Sequence, residues 1–297
     1  MNFHFYELSP KDSFKNYYLF SVNENIEIFE TAFVTADFRA FNPELSKDTF
    51  AHLWPSKRTQ DYRNEYVTSV SEYEPLAHCL RNRFFLDRIS SLFNSGEIDL
   101  LINFGCGFSM YPFLLSGDME HIEIDMPNSI LYKREKVTEW IRNGKLPNRK
   151  LHFIEANFNT EYEESLLQKI SSIKQNKKSF ILLEGVLFFI DSNDTNRLFQ
   201  LFSKIQKQGE FVGSVSFQKE IEERSAFKRL ATFTEERLNA NEKFEYQTLE
   251  DAYYSNLEGY DLIEHEDTFS LKDKYVPEVT VTKQDVLDEH MYILKRI

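Results

Sequence analysis

Cysteine is almost missing from this chain of 297 residues. Cys79 and Cys106 are the only two, too few and too poorly spaced for a disulfide framework or a zinc site, and no metal is expected. Basic excess is missing as well. With 35 Lys and Arg against 48 Asp and Glu, the formal net charge is −13, which leaves no cationic surplus to neutralise a phosphate backbone, so no nucleic-acid partner is expected. The opening MNFHFYELSP lacks both a basic n-region and an apolar h-region, so no secretory signal is read there. Apolar runs fall far short of the roughly 20 residues a membrane helix needs. Together these absences point to a soluble, cytoplasmic protein with no membrane partner. No internal repeat or low-complexity segment stands out.

What the chain does have is core. Hydrophobic residues make up 41% and aromatic residues 15%, with 28 Phe, enough for one large α/β domain or such a domain with a helical cap. Residues 1–95 are polar and aromatic with few clean strands, and read as an N-terminal helical cap on the substrate side. Within them Leu76, Leu80, Phe84, Ile89 and Leu92 recur near a 3.6 period, which predicts a helix over Tyr73–Phe93 beginning near Pro75, ended by Asn94-Ser95-Gly96. From 96 to 297 strand and helix signals alternate. Strands are expected at Asp99–Phe104, Met119–Ile124, Lys150–Ala156, Phe180–Glu184, Glu210–Phe217, Tyr260–His265 and His290–Lys295. Helices are expected at Ser129–Arg142, Glu163–Ile173 and Asp194–Gln206, the last with cap choices among Asp191, Ser192 and Asn193. That alternation means a parallel sheet with helices on both faces, and runs such as FILLEGVLFFI suit strands buried on both sides. Between the last two strands, 270–288 shows no convincing helix, and so short a link favours an antiparallel pair at the end of the sheet. Residues 219–256 read as a charged helical insertion placed to cover a ligand.

The chemistry gathers where strands end. Leu100–Leu115, LLINFGCGFSMYPFLL, carries an apolar run into Gly105-Cys106-Gly107. Such a turn serves either tight strand-to-helix packing or the approach of a nucleotide, and an acid one β–α unit later favours the second. Glu123 and Asp125 lie two apart ahead of Pro127; one of them caps the next helix or accepts from ribose hydroxyls. Met110 stands where the dinucleotide fingerprint has its third glycine, which disfavours a pyrophosphate and suits a ligand with adenine and ribose but no phosphate, such as S-adenosyl-L-methionine. Asn157, beside Phe158 just past the third strand, either makes an ordinary turn or meets an adenine edge. Glu184 lies in so apolar a run that it needs a partner, either an internal Arg or Lys or a ligand's amino group.

Taken together, these pieces resemble the leucine carboxyl methyltransferase family, which includes the tetracenomycin-type polyketide O-methyltransferases. The resemblance rests on Gly105-Cys106-Gly107, on Glu123-x-Asp125-x-Pro127 with Lys133, and on Glu184-Gly185-Val186-Leu187. Upstream, Asp48–Ala51 is similar to the family's D-P-Y-A segment, and Arg81-Asn82-Arg83 with Asp87 to its R-x-R helix. It covers about residues 45–215. It implies a class I (Rossmann-like) methyltransferase fold, here a seven-stranded, mostly parallel sheet with an antiparallel last strand and an N-terminal helical cap. It also implies S-adenosyl-L-methionine at the strands' carboxyl ends. By position, Arg81 would meet the methionine carboxylate, and the Gly105–Gly107 turn would pass close to the cofactor. Asp125 would hold the ribose, Asn157 and Phe158 would frame the adenine, and Glu184 would face the methionine amino group. The chain departs from the family at Ser109, Met110 and Leu114, where Asp-Thr and an Arg are usual, and at Asn157, where Asp is usual.

The function so implied is O-methyl transfer to a carboxylate or hydroxyl of a small-molecule or peptide acceptor. A hydroxyl acceptor benefits from a general base, for which Tyr111 and His265 are the visible choices, while a carboxylate needs only a cationic clamp. The cluster Arg58, Tyr62, Arg63 and Tyr66 is a candidate for gripping an acidic substrate. Two rival readings are a nicotinamide-dependent oxidoreductase on a similar sheet and a catalytically silent cofactor-binding relative.

Overall fold

The structure is a computed structural model that describes residues 30–158, 160–236 and 244–297. Its N-terminal described part is helical: α1 (Glu30–Phe41), α2 (Pro43–Ser46), α3 (Lys57–Ser69) and α4 (Glu74–Asn94). There follow β1 (Leu100–Phe104), α5 (Tyr111–Leu114), β2 (Glu120–Asp125), α6 (Pro127–Arg142), β3 (Leu151–Glu155), α7 (Glu163–Lys174) and β4 (Ser179–Leu183). The chain continues through α8 (Ser192–Ile205), β5 (Phe211–Ser216), α9 (Ser225–Glu235), α10 (Asp251–Ser255), β6 (Tyr260–Asp267), α11 (Thr268–Tyr275) and β7 (His290–Arg296). Asp191 caps α8, its side chain accepting from the N–H groups of Asn193 and Asp194.

The seven strands form one sheet in the order β3-β2-β1-β4-β5-β7-β6. β1 to β5 pair in parallel, and β7 runs antiparallel to both β5 and β6, so it is the one reversed strand. The order turns back between β1 and β4, where such sheets open a crevice at their carboxyl ends. Each strand divides its side chains between two cores. Leu101, Phe180, Leu182, Phe211 and Ile293 pack with Leu80, Phe84, Phe85 and Ile89 of α4. Leu100, Ile102, Phe104, Ile181 and Leu183 pack with Leu166 and Ile170 of α7 and Leu198 and Phe202 of α8. A third cluster, Ala36, Trp54, Phe108, Met110, Val137 and Trp140, ties α1 and α6 to the turn after β1. All seven expected strands are present.

Three local expectations are corrected. FILLEGVLFFI is not one strand: β4 stops at Leu183, Gly185 turns the chain at φ +72°, and Leu187–Phe189 form a 3-10 turn, which places Glu184 just outside the sheet. The segment between β6 and β7 does hold a helix. α11 begins with a capping box in which Asp267 accepts from the Ser270 N–H, and its burial rests on Leu271 and Thr268, too few apolar residues to show a period. Nor is the insertion before β6 helical throughout its described part: residues 244–250 hold neither helix nor strand beyond the bridge of Thr248 to Phe217, and 237–243 lie outside the described residues.

Candidate functional site

The turn after β1 needs its glycines for backbone reasons. Gly105 has φ +61°, and a Cβ there would lie 2.3 Å from Val186 Cγ2; Gly107 has φ +43°. A side-chain-bearing residue is strained at both. The turn brings the Gly107 N–H to Asp125 Oδ2 at 2.7 Å, while Oδ1 accepts from the Met126 N–H at 2.7 Å. Asp125 is 8% exposed. Burial lifts its carboxyl above the ordinary value, opposed by those two N–H donors. Each of its oxygens keeps a further lone pair for another donor.

Beneath the turn lies a buried polar network. Glu123 and Lys133 form an ion pair, the Asn103 amide donates to Ser109 Oγ at 2.9 Å and to Glu123 at 3.3 Å, and Ser109 Oγ donates to the Cys106 carbonyl at 2.9 Å. Of the two acids singled out on β2, Glu123 is therefore part of the scaffold, and Asp125 is the one left at the edge. Ser109 fills the first departure from the family pattern with a hydroxyl that closes the turn on itself. Arg39 extends the same support, pairing with Asp48 at 3.0 Å and donating to the Phe108 carbonyl at 3.0 Å, so the Asp48–Ala51 segment buttresses the glycine turn.

Past β4, Glu184 meets Arg81 Nε at 2.8 Å on one oxygen and accepts from the Tyr111 hydroxyl at 2.8 Å on the other. Burial pushes the Glu184 carboxyl up, but Arg81, Arg39 and the two hydrogen bonds outweigh it and hold it below the usual carboxylate range. Arg81 also donates from Nη1 to Glu289, in the lead into β7. The internal-partner option for Glu184 is thus realised.

Of the residues singled out from sequence, the structure joins Gly105, Gly107 and Asp125 in one turn and Arg81 and Glu184 in one ion pair. Asn157 and Phe158 follow β3 at the same edge. The Asn157 carbonyl accepts from Thr160, and the Phe158 ring meets Tyr162 edge-on with centroids 5.1 Å apart. Tyr111 is fully buried, and burial with the Glu184 charge lifts its hydroxyl far above the phenol range. His265 is committed elsewhere, hydrogen bonded to His290 at 2.8 Å and stacked on Tyr292. Asp251, His265 and His290 bring one ligand atom each within 4.8 Å of one another, a grouping scattered over 40 residues of sequence. The cluster on α3 breaks up: Arg63 pairs with Asp37 at 3.2 Å, Tyr66 points to Glu74, and the Arg58 side chain lies outside the described residues. Sequence reasoning missed Glu74, His78 and Glu289. The i, i+4, i+7 spacing of Glu74, His78 and Arg81 was the available signal for the first two.

Among the described residues no helix is long and apolar enough to cross a membrane. A family model described as leucine carboxyl methyltransferase matches residues 28–203. No curated protein sequence matches the chain. Among solved structures, a DUF574 family protein from Streptomyces avermitilis is similar, with a TM-score of 0.58 and 10% identity, over 88% of this chain and 97% of that one. A protein described as a putative methyltransferase from Thermobifida fusca is also similar, with a TM-score of 0.55 and 12% identity, over 87% of this chain and 94% of that one. At such identities the likeness is one of fold.

Proposed function

The chain belongs to the leucine carboxyl methyltransferase family, and on that premise we propose that it transfers a methyl group to an oxygen, carboxylate or hydroxyl, of a small-molecule or peptide acceptor. Methyl transfer from S-adenosylmethionine is the family's chemistry, and membership sets aside the nicotinamide-dependent reading. When bound, S-adenosylmethionine supplies an electrophilic sulfonium methyl.

One observation carries the site assignment. Arg81 and Glu184 set a cation and an anion 2.8 Å apart at the crevice edge, both at least nine-tenths buried. The amino-acid end of the cofactor presents the complementary pair, so Arg81 takes its carboxylate and Glu184 its ammonium. Each buried charge then exchanges one partner for another, and none is left bare, which is the costly outcome. Arg81 suits the task because its planar fork holds a carboxylate through two N–H groups. Asp125 accepts from the ribose hydroxyls with its remaining lone pairs, held in place by the Gly107 and Met126 N–H groups. Asn157 and Phe158 flank the adenine. For an in-line displacement the residues' contribution is alignment, worth on the order of 7–11 kcal/mol at most.

Calorimetric titration of S-adenosylhomocysteine tests the cofactor site: no binding by the folded protein would overturn it, while binding without methyl transfer to any acceptor would leave the catalytically silent reading in its place. With 13C-methyl S-adenosylmethionine and an accepted acceptor, the product's methyl carbon should appear in the methoxy region, and an N-methyl signal would contradict O-transfer.

A further inference from the structure

Beyond Arg81, α4 carries Glu74 and His78 on the same stripe, and Glu289 approaches from β7. Glu74, His78 and Glu289 are 4%, 8% and 5% exposed. Glu289 spends Oε1 on Arg81, and Glu74 offers Oε2 to the Tyr66 hydroxyl at 3.5 Å, the outer limit of a hydrogen bond. The other oxygens, Glu74 Oε1 and Glu289 Oε2, are buried without a hydrogen-bond partner, as is His78 Nδ1. Native proteins rarely leave buried carboxylate oxygens open; a water, an ion or a ligand usually meets them.

Charge counting points the same way. Of the three carboxyl groups Glu184, Glu289 and Glu74, two are in direct contact with Arg81, and Arg39, which also acts on Glu184, is already paired with Asp48. A zwitterion at Arg81 and Glu184 brings a positive and a negative end and leaves the acidic excess unchanged; a sulfonium reduces it by one. His78 contributes no cation, because burial and the charges of Arg81 and Arg39 hold its imidazole neutral. Nearby Asp288 is taken by Arg224 at 3.0 Å. Burial, with the Glu289 charge added, lifts Glu74 to about 8, and burial raises Glu289 as well despite Arg81. Without a ligand, the site therefore relieves itself by holding a proton near neutral pH.

We propose that Glu74 and Glu289 form an acceptor subsite for a cationic nitrogen group, an ammonium or guanidinium that the acceptor carries apart from its methylated oxygen. The inference rests on the methyltransferase reading and narrows it. A second carboxylate on the acceptor is disfavoured at this position by two like charges, whereas a cationic N–H group supplies the kind of donor that Glu74 Oε1 and Glu289 Oε2 lack. Its arrival displaces the stored proton to solvent, so charge balances: the protonated carboxyl becomes a carboxylate paired with the ammonium.

The test uses the full chain saturated with S-adenosylhomocysteine, whose own binding is measured first. Tyramine and 4-hydroxyphenylacetate, a phenol with a cationic arm and one with an anionic arm, are then titrated at pH 7 in two buffers of different ionisation enthalpy. Tyramine should bind about tenfold tighter or better, with net proton release, as expected for hydrogen bonds between charged groups. Glu74→Gln should bring the two probes towards parity and abolish the proton release; Glu289→Gln is the second variant should the first fail to fold. Equal affinities, preference for the anionic probe, binding of neither, or a preference that survives Glu74→Gln would overturn the subsite. Failure of the wild type to bind S-adenosylhomocysteine would instead strike the methyltransferase reading, and the subsite falls with it.

Discussion

Under the glycine turn, Lys133 meets Glu123, Asn103 joins Glu123 to Ser109, and both oxygens of Asp125 accept backbone N–H groups. Across the same sheet edge, at α4 and β7, Glu74, His78 and Glu289 each keep one buried polar atom without a partner. Both regions bury charge to a similar depth, so burial alone does not tell scaffold from site. Completeness does. A network whose members satisfy one another holds a turn in place whether or not a ligand comes. A network left open carries a desolvation cost that a ligand, an ordered water or a proton can offset. Arg81 and Glu184 stand at the border between the two, paired with each other yet able to exchange partners with a zwitterion.

Breaking the closed side should cost the most. Lys133→Met strands the Glu123 carboxylate, with the two side chains 1% and 0% exposed, and should lower stability by about 3–5 kcal/mol in urea denaturation. The double variant Lys133→Met/Glu123→Leu should regain most of that loss; if it does not, the pair is more than a mutual neutraliser. Gly105→Ala, forced to φ +61° against Val186, should cost about 1–3 kcal/mol by the same measurement, and pairing it with Val186→Ala should recover part of it. Still on the closed side, Asp125→Asn should weaken S-adenosylhomocysteine about tenfold by calorimetry. Its unfolding midpoint should fall by less than that of Lys133→Met, because the amide oxygen still accepts one backbone N–H. An affinity equal to wild type would remove Asp125 from the ribose.

The open side predicts an effect with a definite sign. Glu74 has its folded-state value raised from 4.5 to about 8, so between those values the native state binds a proton that the unfolded chain does not. Its contribution to stability is full below about 4.5 and is lost as pH rises through about 8. Thermal melts of the wild type should therefore decline across that window, and Glu74→Gln should flatten the decline. An unchanged slope would show that Glu74 is not the group holding the proton.

The sheet was legible because its strands are short, apolar and separated by amphipathic helices, as in LLINF and SFILL. The reversed last strand was legible from the brevity of the link before it. What that link contains was not: α11 rests on a capping box and one fully buried leucine, so it leaves no periodic trace. Glu184 was readable as a carboxylate needing a partner, and Arg81, through family likeness, as a residue for the methionine carboxylate. Their direct pairing was not, because 103 residues separate them. Glu289 is 208 residues from Arg81 and reads in sequence as one acid in the polar lead to a strand. Local chemistry shows through a sequence, whereas charge shared between distant strands shows only after folding.

A crystal structure of the complex with S-adenosylhomocysteine tests the account most directly. The homocysteine carboxylate should lie on Arg81, its amino group on Glu184 and the ribose hydroxyls on Asp125, with the open oxygens of Glu74 and Glu289 untouched by the cofactor product. An amino group found on Glu74 or Glu289, or a ribose placed away from Asp125, would contradict it.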